Sequence, residues 1–242
     1  MEKVIYSVTG KPGIEASELS SELREQVAGT LADLGAHAVQ VNVVDDAVAE
    51  AADLHIGSSQ QTADAIVSVW IDSAVDRFRR PYDEAVAAAA AAGAVGAYLV
   101  TESVPVPHSR YPAGPGERTH GFAQIAFLRR PSALPEAEWL DIWLNSHTQI
   151  AIDTQDTFLY VQNVVTRVLT VGATPWDAIV EECFPPGAMS DPHVFFDAAG
   201  DDERLAEHQS AMFDSVQRFI DFDTIEVIPT SRYVMLPMPA GA

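Results

Sequence analysis

The same four residues, Asp-Ala-Ile-Val, occur once in each half of the chain. The first copy begins at Asp64 and the second at Asp177, which places them 113 positions apart in a chain of 242 residues. Each copy begins an apolar run and is followed by a helix-forming stretch and a further apolar run. Self-similarity at a fixed offset is typical of an internal duplication. We therefore expect two similar structural units that pack against each other.

The first half has the periodicities of strands and helices in the order βαββαβ. Leucines and valines at helical spacing follow Ser17, a suitable N-cap, and stop before Gly35. The alanine-rich run from Ala85 to Ala97 is too short to cross a bilayer, and we interpret it as a helix that ends at Gly93. The predicted strands are 4–8, 37–44, 65–71 and 94–101, and the predicted helices are 17–34 and 75–92.

The second half repeats this order after a segment, 104–121, that is rich in proline and glycine. Such a composition is unfavourable for a helix or a central strand, so we interpret the segment as a linker. A second proline-marked segment, 185–200, interrupts the second unit before its last helix. The predicted strands are 122–128, 157–170, 177–184 and 224–235, and the predicted helices are 135–150 and 202–220.

A βαββαβ unit folds into an antiparallel sheet with two helices on one face, and its other face needs a partner. The sister repeat can supply that partner, so the predicted fold class is α+β, with two sheets forming a barrel-like core and the helices outside. The predicted divisions are a scaffold repeat at 1–103, a linker at 104–121 and a second repeat at 122–242 that carries any site. The protein is expected to be a monomer or a homodimer.

Fourteen basic and thirty-five acidic residues give a formal charge of −21. This charge repels phosphate backbones and anionic lipids, so neither a nucleic acid nor a membrane is an expected partner. The only cysteine is Cys183, which rules out an intrachain disulfide and a four-thiolate zinc site. Its solitary occurrence fits a reducing compartment, and the cytoplasm is the expected location.

One predicted helix carries two indoles and an imidazole on a single face. Trp139, Trp143 and His147 are four residues apart, so their side chains are neighbours on the helix surface. The tryptophans can wall a cleft or belong to the core. His147 lies among polar residues at the end of this stripe, where it can transfer a proton near neutral pH or cap the helix.

The strand after this helix places polar groups on both of its faces. Tyr160 and Gln162 share one face, whereas Asn163 lies on the other. Polar groups in an apolar strand need hydrogen-bond partners, which either a ligand or a polar network across the sheet can supply. We consider all three residues candidates for contact with a ligand.

Other candidate groups are more isolated. His193 lies in the segment 185–200, where it can reach over a pocket as a binding residue. Glu181 and Glu182 are adjacent in a strand and point to opposite faces, which argues against a paired acid and base. No glycine-rich phosphate loop and no metal-binding histidine pair is present, so neither a nucleotide cofactor nor a metal is expected.

Several motifs of the second half occur together: Arg129-Arg130-Pro131, Glu138-Trp139, Trp143 with His147, Tyr160-Val161-Gln162-Asn163 and Trp176-Asp177-Ala178-Ile179-Val180-Glu181. In combination they resemble the EthD family, within the dimeric α/β-barrel superfamily. The resemblance covers residues 122 to 235. It implies ferredoxin-like repeats that pack as an intramolecular dimeric α/β barrel, with a cleft between sheet and helices.

These observations favour an enzyme of small-molecule metabolism that uses no nucleotide or metal cofactor. The expected chemistry is that of a lyase, cyclase or dehydratase on a hydrophobic aromatic or polyketide-like substrate. In this hypothesis His147 transfers a proton and Tyr160 is the second catalytic residue, with Trp139, Trp143, Gln162, Asn163 and His193 as binding residues. A cofactor-free monooxygenase, a noncatalytic binding or accessory protein and a haem protein remain alternatives.

Overall fold

A computed structural model describes residues 1–57, 63–108 and 110–239 of the chain. Ser109 of the predicted linker and residues 240–242 of the predicted second repeat lie outside the described residues. The first repeat has the expected βαββαβ order, with an added 3-10 helix, Asp46–Leu54, between its middle strands. Its elements are β1 (Glu2–Gly10), α1 (Ala16–Ser21), α2 (Ala28–Asp33), β2 (Ala38–Val43), β3 (Ala65–Ile71), α3 (Asp76–Ala87) and β4 (Ala90–Val106).

The second repeat follows the same order. Segment 185–200 contributes a 3-10 turn, Pro186–Met189, and one short helix. Its elements are β5 (Phe122–Leu128), α4 (Glu136–Leu140), α5 (Thr148–Thr154), β6 (Leu159–Val168), β7 (Ala178–Phe184), α6 (Pro192–Phe195), α7 (Asp202–Val216) and β8 (Glu226–Leu236).

The eight strands close into one antiparallel barrel in the order β1-β3-β2-β8-β5-β7-β6-β4. Within each repeat the strand order is the same, and the fourth strand of each repeat pairs with the second strand of the other, β4 with β6 and β8 with β2. The two repeats are therefore related by a pseudo-two-fold axis, as the subunits of a dimer would be. The predicted fold class is confirmed.

The two repeated aspartates have the same structural role. The Asp64 carboxylate accepts a hydrogen bond from the Gly10 amide at 2.9 Å, and the Asp177 carboxylate accepts one from the Arg130 amide at 2.8 Å. In both repeats the aspartate thereby ties the start of the third strand to the end of the first. This shared role explains why the phrase is present in both halves.

A π-helical segment joins α1 to α2 and another joins α4 to α5, at Glu22–Val27 and Asp141–His147. The sequence predicted a regular helix at 17–34. In the π-helical segment each amide bonds to the carbonyl five residues before it, so this part of the helix is wider than an α-helix. Thr148, for example, donates its amide to the Trp143 carbonyl. Because both repeats contain the segment, it is a feature of the repeat and not of one site.

The prediction of a helix through the alanine-rich run was wrong. Helix α3 ends at Ala87, and β4 begins at Ala90 and continues to Val106. Helix propensity is a weak preference that tertiary pairing overrides, and β4 pairs with both β1 and β6 to close the barrel. Gly93 has a φ of 75°, which fits the irregular start of this strand.

Strand β4 also extends three residues into the segment predicted as a linker. Pro105 lies where the register between β4 and β6 shifts, between Ser103 and Val106. A proline lacks the amide hydrogen that a regular ladder needs, and a bulge removes that need. The expectation that this composition excludes a strand was therefore wrong at its first residues.

The barrel interior contains a buried polar network that joins the two repeats. The Glu181 carboxylate accepts hydrogen bonds from Gln40, Asn42 and Arg232 at 2.8 to 3.1 Å. Burial alone would raise the pKa of Glu181, but Arg232 and these amides hold it below its ordinary value. Lys3 lies nearby and forms an ion pair with Glu102. The Glu181 carboxylate therefore has a structural role, because its hydrogen bonds connect the two repeats.

Candidate functional site

A cavity of about 520 Å³ lies between the helix-facing side of the second sheet and the helices that cover it. Its walls are mainly aromatic and aliphatic, with a few polar side chains, which is the usual character of a small-molecule site. Among the lining residues are Trp143, His147, Tyr160, Gln124, Glu182, Met189, Phe195, Phe219 and Phe222.

Three polar side chains form one row across the floor of this cavity. Gln124 on β5 lies opposite Glu182 on β7, and Glu182 lies opposite Tyr160 on β6. Directly opposed residues in an antiparallel sheet have neighbouring side chains. The strand pairing therefore brings an amide, a carboxyl group and a phenol together under an otherwise apolar cavity.

The Glu182 carboxyl group forms no hydrogen bond or ion pair with any residue that the structure describes. Burial raises its pKa to about 7, because an apolar surrounding disfavours the charged form. A carboxyl group with this pKa is present in both protonation states at neutral pH. It can therefore accept a proton and return it without a large cost in free energy.

Tyr160 has a network of polar groups behind it. Burial raises the pKa of its phenol, and the neighbouring Glu182 raises it further, whereas Trp143, Gln162 and Thr148 act in the opposite direction. Gln162 donates to the Thr148 hydroxyl at 2.6 Å, and that hydroxyl donates to the Trp143 carbonyl at 2.9 Å. Tyr160 is therefore neutral at physiological pH and can donate a hydrogen bond.

His147 reaches the cavity from the end of the π-helical segment. Its Nδ1 lies 2.9 Å from the Ser215 hydroxyl, and its ring packs against Phe219 with 4.7 Å between centroids. Burial, assisted by the charge of Arg218, lowers its pKa to about 4. The imidazole is therefore neutral at pH 7 and carries a single proton. Nε2 has no hydrogen-bond partner among the described residues.

Two segments close the cavity on the side away from the sheet. The segment 185–200 covers it with Met189, Phe195 and Phe196, and Phe195 stacks on Phe184 at 4.4 Å. The 3-10 helix Asp46–Leu54 of the first repeat supplies residues at the rim. The half predicted as scaffold therefore also contributes to this cavity.

The structure places the sequence-predicted residues in four locations, two of which are at the cavity. Trp143, His147 and Tyr160 line the cavity. Trp139 and Gln162 lie behind this lining, where the Trp139 indole donates to the Phe219 carbonyl at 3.0 Å.

The two remaining predicted binding residues are not brought to the cavity lining. Asn163 lies in the barrel interior and accepts a hydrogen bond from Lys3 at 2.8 Å. His193 lies on segment 185–200 and pairs with Asp202 at 2.9 Å, in a contact that raises the pKa of the imidazole.

The floor residues differ from their counterparts in the first repeat. When the repeats are aligned on Asp64 and Asp177 and on the strand registers, the positions of Gln124, Glu182 and Tyr160 are occupied by valines. Each of these valines is fully buried in an apolar core. The three valines are Val4, Val69 and Val39.

The covering helix shows the same contrast. Trp139, Trp143 and His147 correspond to three buried aliphatic residues of the first repeat, which have the same spacing and flank an equivalent π-helical segment. At these three positions of the covering helix, aromatic and imidazole side chains therefore replace aliphatic ones. The aliphatic residues are Leu19, Leu23 and Val27.

Sequence reasoning missed Gln124 and Glu182. Glu182 was considered only as half of a pair with Glu181, and the two do face opposite sides of the sheet. Alignment of the repeats on the Asp-Ala-Ile-Val phrase places Glu182 against Val69, and this contrast was a usable signal. In the part of the chain that the structure describes, no group of three or more histidine, cysteine, aspartate or glutamate residues could hold a metal ion.

Comparison with known proteins yields similarity at the level of structure. No protein-family profile matches the chain. No curated protein sequence matches it significantly. An anthrone oxidase-like protein of known structure superposes with a TM-score of 0.58 at 11% identity, covering 100% of this chain and 96% of its own.

Two further structures superpose over nearly their whole length. A putative monooxygenase from Fusobacterium nucleatum has a TM-score of 0.49 at 10% identity, covering 97% of this chain and 92% of its own. A putative monooxygenase from Lactobacillus acidophilus has a TM-score of 0.45 at 10% identity, covering 97% and 96%. At 11% identity the likeness to the anthrone oxidase-like protein shows a shared fold and no more. Among the described residues no helix has the length and apolarity to span a membrane.

Proposed function

We propose that the chain is an enzyme that removes a proton from a hydrophobic, aromatic or polyketide-like substrate bound in the 520 Å³ cavity. The observation that carries this proposal is the Glu182 carboxyl group, which has no partner among the described residues, a pKa of about 7 and an apolar surrounding. The Glu182 side chain is half-buried, and an unpaired carboxyl group in an apolar surrounding lowers stability. The equivalent Val69 shows that the fold does not require a carboxyl group at this position.

In this mechanism Glu182 is the proton-transfer residue. Its carboxylate takes a proton from a carbon that is next to a carbonyl group or conjugated with one through an aromatic ring, and the electron pair of the broken C–H bond is delocalised onto the carbonyl oxygen. His147 and Tyr160 are neutral hydrogen-bond donors that can stabilise the resulting oxyanion. The role of His147 therefore changes from that expected from sequence, because an imidazole with a pKa of about 4 is a weak base.

The reaction that fits this arrangement best is a dehydration or a cyclisation with loss of water. The enolate electrons expel a hydroxyl group at the neighbouring carbon, and protonated Glu182 returns its proton to that group as water leaves. One carboxyl group then serves as base and acid in turn and is restored at the end of the cycle. This chemistry needs no redox partner, and we propose that the reaction uses no cofactor.

A second candidate is cofactor-free oxygenation, which the superposition with the anthrone oxidase-like protein favours. The first step is the same, but the substrate anion gives electrons to molecular oxygen and forms a peroxide, which loses water to leave a carbonyl group. The dehydration adds no oxygen atom to the product, whereas the oxygenation adds one that comes from molecular oxygen. Labelled dioxygen introduces label into the product only in the second.

The proposal includes the finer assignments made from sequence. We propose that the second repeat, 122–242, is EthD-like and carries the reacting groups, and that residues 1–103 support it through a linker at 104–121. The first repeat also supplies rim residues of the cavity, so the two halves act together.

Deuterium exchange into anthrone in anaerobic D₂O tests this function. Anthrone is the compound that appears in the name of the superposed anthrone oxidase-like protein. The CH₂ group between its two aromatic rings is acidic, so deuterium exchange at this carbon reports proton removal alone. We expect the protein to accelerate exchange and Glu182→Gln to reduce this acceleration by about 100-fold. Glu207→Gln is the matched control, because Glu207 is exposed on α7 and does not line the cavity.

Two results contradict the catalytic proposal. If anthrone binds in the cavity but exchanges at the rate of free solution, the protein is a binding protein for such compounds. If exchange is accelerated equally by Glu182→Gln, another group moves the proton. A strong visible absorption band in the purified protein would instead favour the haem alternative.

A further inference from the structure

The charged residues that line the cavity all have the same sign. Glu50, Asp53 and Glu182 line it, and no lysine or arginine does so among the described residues. His147 adds no positive charge, because its pKa is about 4. The cavity belongs to a chain with a formal charge of −21. The lining therefore carries only negative charge, and the cation that acts on it, Arg218 beside His147, lies outside the lining.

These carboxylates lie at two depths. Glu182 is on the floor, in the cross-strand row with Tyr160, whereas Glu50 and Asp53 are exposed at the rim. The two rim residues are three apart on the 3-10 helix Asp46–Leu54, so they share a face. Neither has a hydrogen bond or ion pair with a described residue. They are free to interact with a ligand.

The rim helix has a fixed position. The Asp45 carboxylate accepts the Ala47 amide at 3.1 Å and the Ser231 hydroxyl at 2.7 Å, which ties the start of the helix to β8. The buried face of the helix, Val48 and Ala51, belongs to one apolar cluster with Phe184 and Met189. The two rim carboxylates are therefore presented from a supported element.

Apolar groups at the rim complete a binding surface for an amphipathic molecule. Ile56 and Phe222 line the cavity and are exposed by 47% and 49%. Exposed apolar side chains of this size beside a cavity are typical of a ligand-binding mouth. A ligand that fills the cavity thus meets apolar walls along its body and carboxylates at its outer end.

We infer that the cavity selects hydrophobic ligands without a negative charge, and that it prefers ligands with an amine at the end that reaches Glu50 and Asp53. This inference rests on the proposed function, whose substrate class it narrows. Carboxylate-bearing compounds are disfavoured by the rim and by the floor together. A ligand ammonium group, by contrast, is attracted to the Glu50 and Asp53 carboxylates at the rim, away from Glu182 on the floor.

Three anthracene probes that differ in one substituent test the inference: 9-(aminomethyl)anthracene, 9-anthracenemethanol and 9-anthracenecarboxylate. Their binding is followed by fluorescence at pH 7 and low ionic strength. We expect the ammonium probe to bind about tenfold more tightly than the carboxylate probe, with the neutral probe between them. The difference should shrink as salt is added, because the rim charges are exposed to solvent.

The double variant Glu50→Gln/Asp53→Asn should reduce the preference for the ammonium probe to about twofold. Glu18→Gln/Asp33→Asn is the matched control, since it removes the same two charges from exposed positions of the first repeat that do not line the cavity. The control should leave the preference unchanged. Equal effects of both double variants overturn the inference, because they would show a response to net charge alone.

Failure of this inference can be distinguished from failure of the proposed function. If the carboxylate probe binds as tightly as the ammonium probe, or if none of the probes binds, the charge selection is wrong, whether or not anthrone exchange depends on Glu182. If the expected order is found while anthrone exchange is not accelerated, the selection holds and the catalytic proposal is wrong.

Discussion

Glu182 and Val69 occupy equivalent positions in the two repeats, each on the strand that follows the repeated aspartate, Asp177 or Asp64. Val69 is completely buried in the apolar core of the first repeat. Glu182 faces a cavity, lies beside Tyr160 and has no partner among the described residues. The same backbone therefore supports a filled core in one half and a polar floor in the other.

The stability of the protein should depend on the ionisation of Glu182. Its pKa of about 7 in the folded state lies above the ordinary value, so the folded state binds more protons than the unfolded state between about pH 4.5 and pH 7. The free energy of unfolding therefore falls as pH rises through this window. We expect Glu182→Gln to be more stable than the wild type by about 1 to 3 kcal/mol at pH 8.

Chemical denaturation at several pH values measures this difference. The stabilisation by Glu182→Gln should vanish near pH 5, where Glu182 is itself protonated. The control Glu207→Gln should show no such pH dependence. A Glu182→Gln variant that is less stable than the wild type at pH 8 would mean that the carboxylate is engaged in a stabilising contact.

His147 should remain neutral throughout the physiological range. Burial, with the charge of Arg218, lowers its pKa to about 4, so the ring gains a proton only under acidic conditions. Nitrogen-15 NMR should show one protonated and one unprotonated ring nitrogen from pH 5 to pH 8. Titration of this ring near pH 6.5 would show that the site is open to water.

Loss of the His147 ring should reduce proton transfer without removing the base. We expect His147→Ala to lower the acceleration of anthrone exchange by about 10- to 100-fold, because one donor to the oxyanion is lost. His37→Ala is the control, since His37 pairs with Asp72 at the surface of the first repeat. A variant that retains full acceleration would remove His147 from the mechanism.

Removal of the Tyr160 hydroxyl should lower the catalytic rate and have little effect on the free energy of unfolding. We expect Tyr160→Phe to lower the anthrone exchange rate by about 10- to 100-fold, because the ring still fills its place but the donor is lost. Tyr98→Phe is the matched control: its hydroxyl donates to the Thr174 carbonyl at 3.1 Å, away from the cavity lining. Equal rates for both variants would contradict a role for Tyr160.

The barrel network should contribute to stability and not to substrate binding. Arg232→Met leaves the buried Glu181 carboxylate without its main cation, and we expect a loss of about 3 to 5 kcal/mol in the free energy of unfolding. Adding Glu181→Gln should recover part of this loss, because the unpaired charge is removed. Thermal denaturation of the single and double variants measures both effects, and an additive loss would contradict the pairing.

The fold could be predicted from the sequence because the same order of strands and helices occurs in both halves of the chain. Periodicity predicted β3 and β5 with the bounds that the structure shows. The alanine-rich run was misjudged because its local preference for helix competes with pairing to β1, which sequence spacing does not show. The 3-10 helix Asp46–Leu54 was missed for a similar reason, since it is held by contacts with β8 and with segment 185–200.

The candidate site was only partly accessible from sequence. Trp143, His147 and Tyr160 were identified by their spacing on one helix and one strand. The floor row depends on the pairing of β5 with β7 and of β7 with β6, and this order in the sheet differs from the order of the strands in the chain. Asn163 was included as a candidate although it lies on the opposite face of its strand, where it bonds to Lys3 in the barrel.

The pH dependence of deuterium exchange into anthrone, measured without oxygen for the wild type and for Glu182→Gln, tests the central claim most directly. The wild-type rate above that of free solution should rise with one ionisation near pH 7, the pKa of the Glu182 carboxyl group. Glu182→Gln should lose both the acceleration and this ionisation. A wild-type profile that instead follows a group near pH 4, or one that Glu182→Gln leaves unchanged, would contradict the assignment of Glu182 as the base.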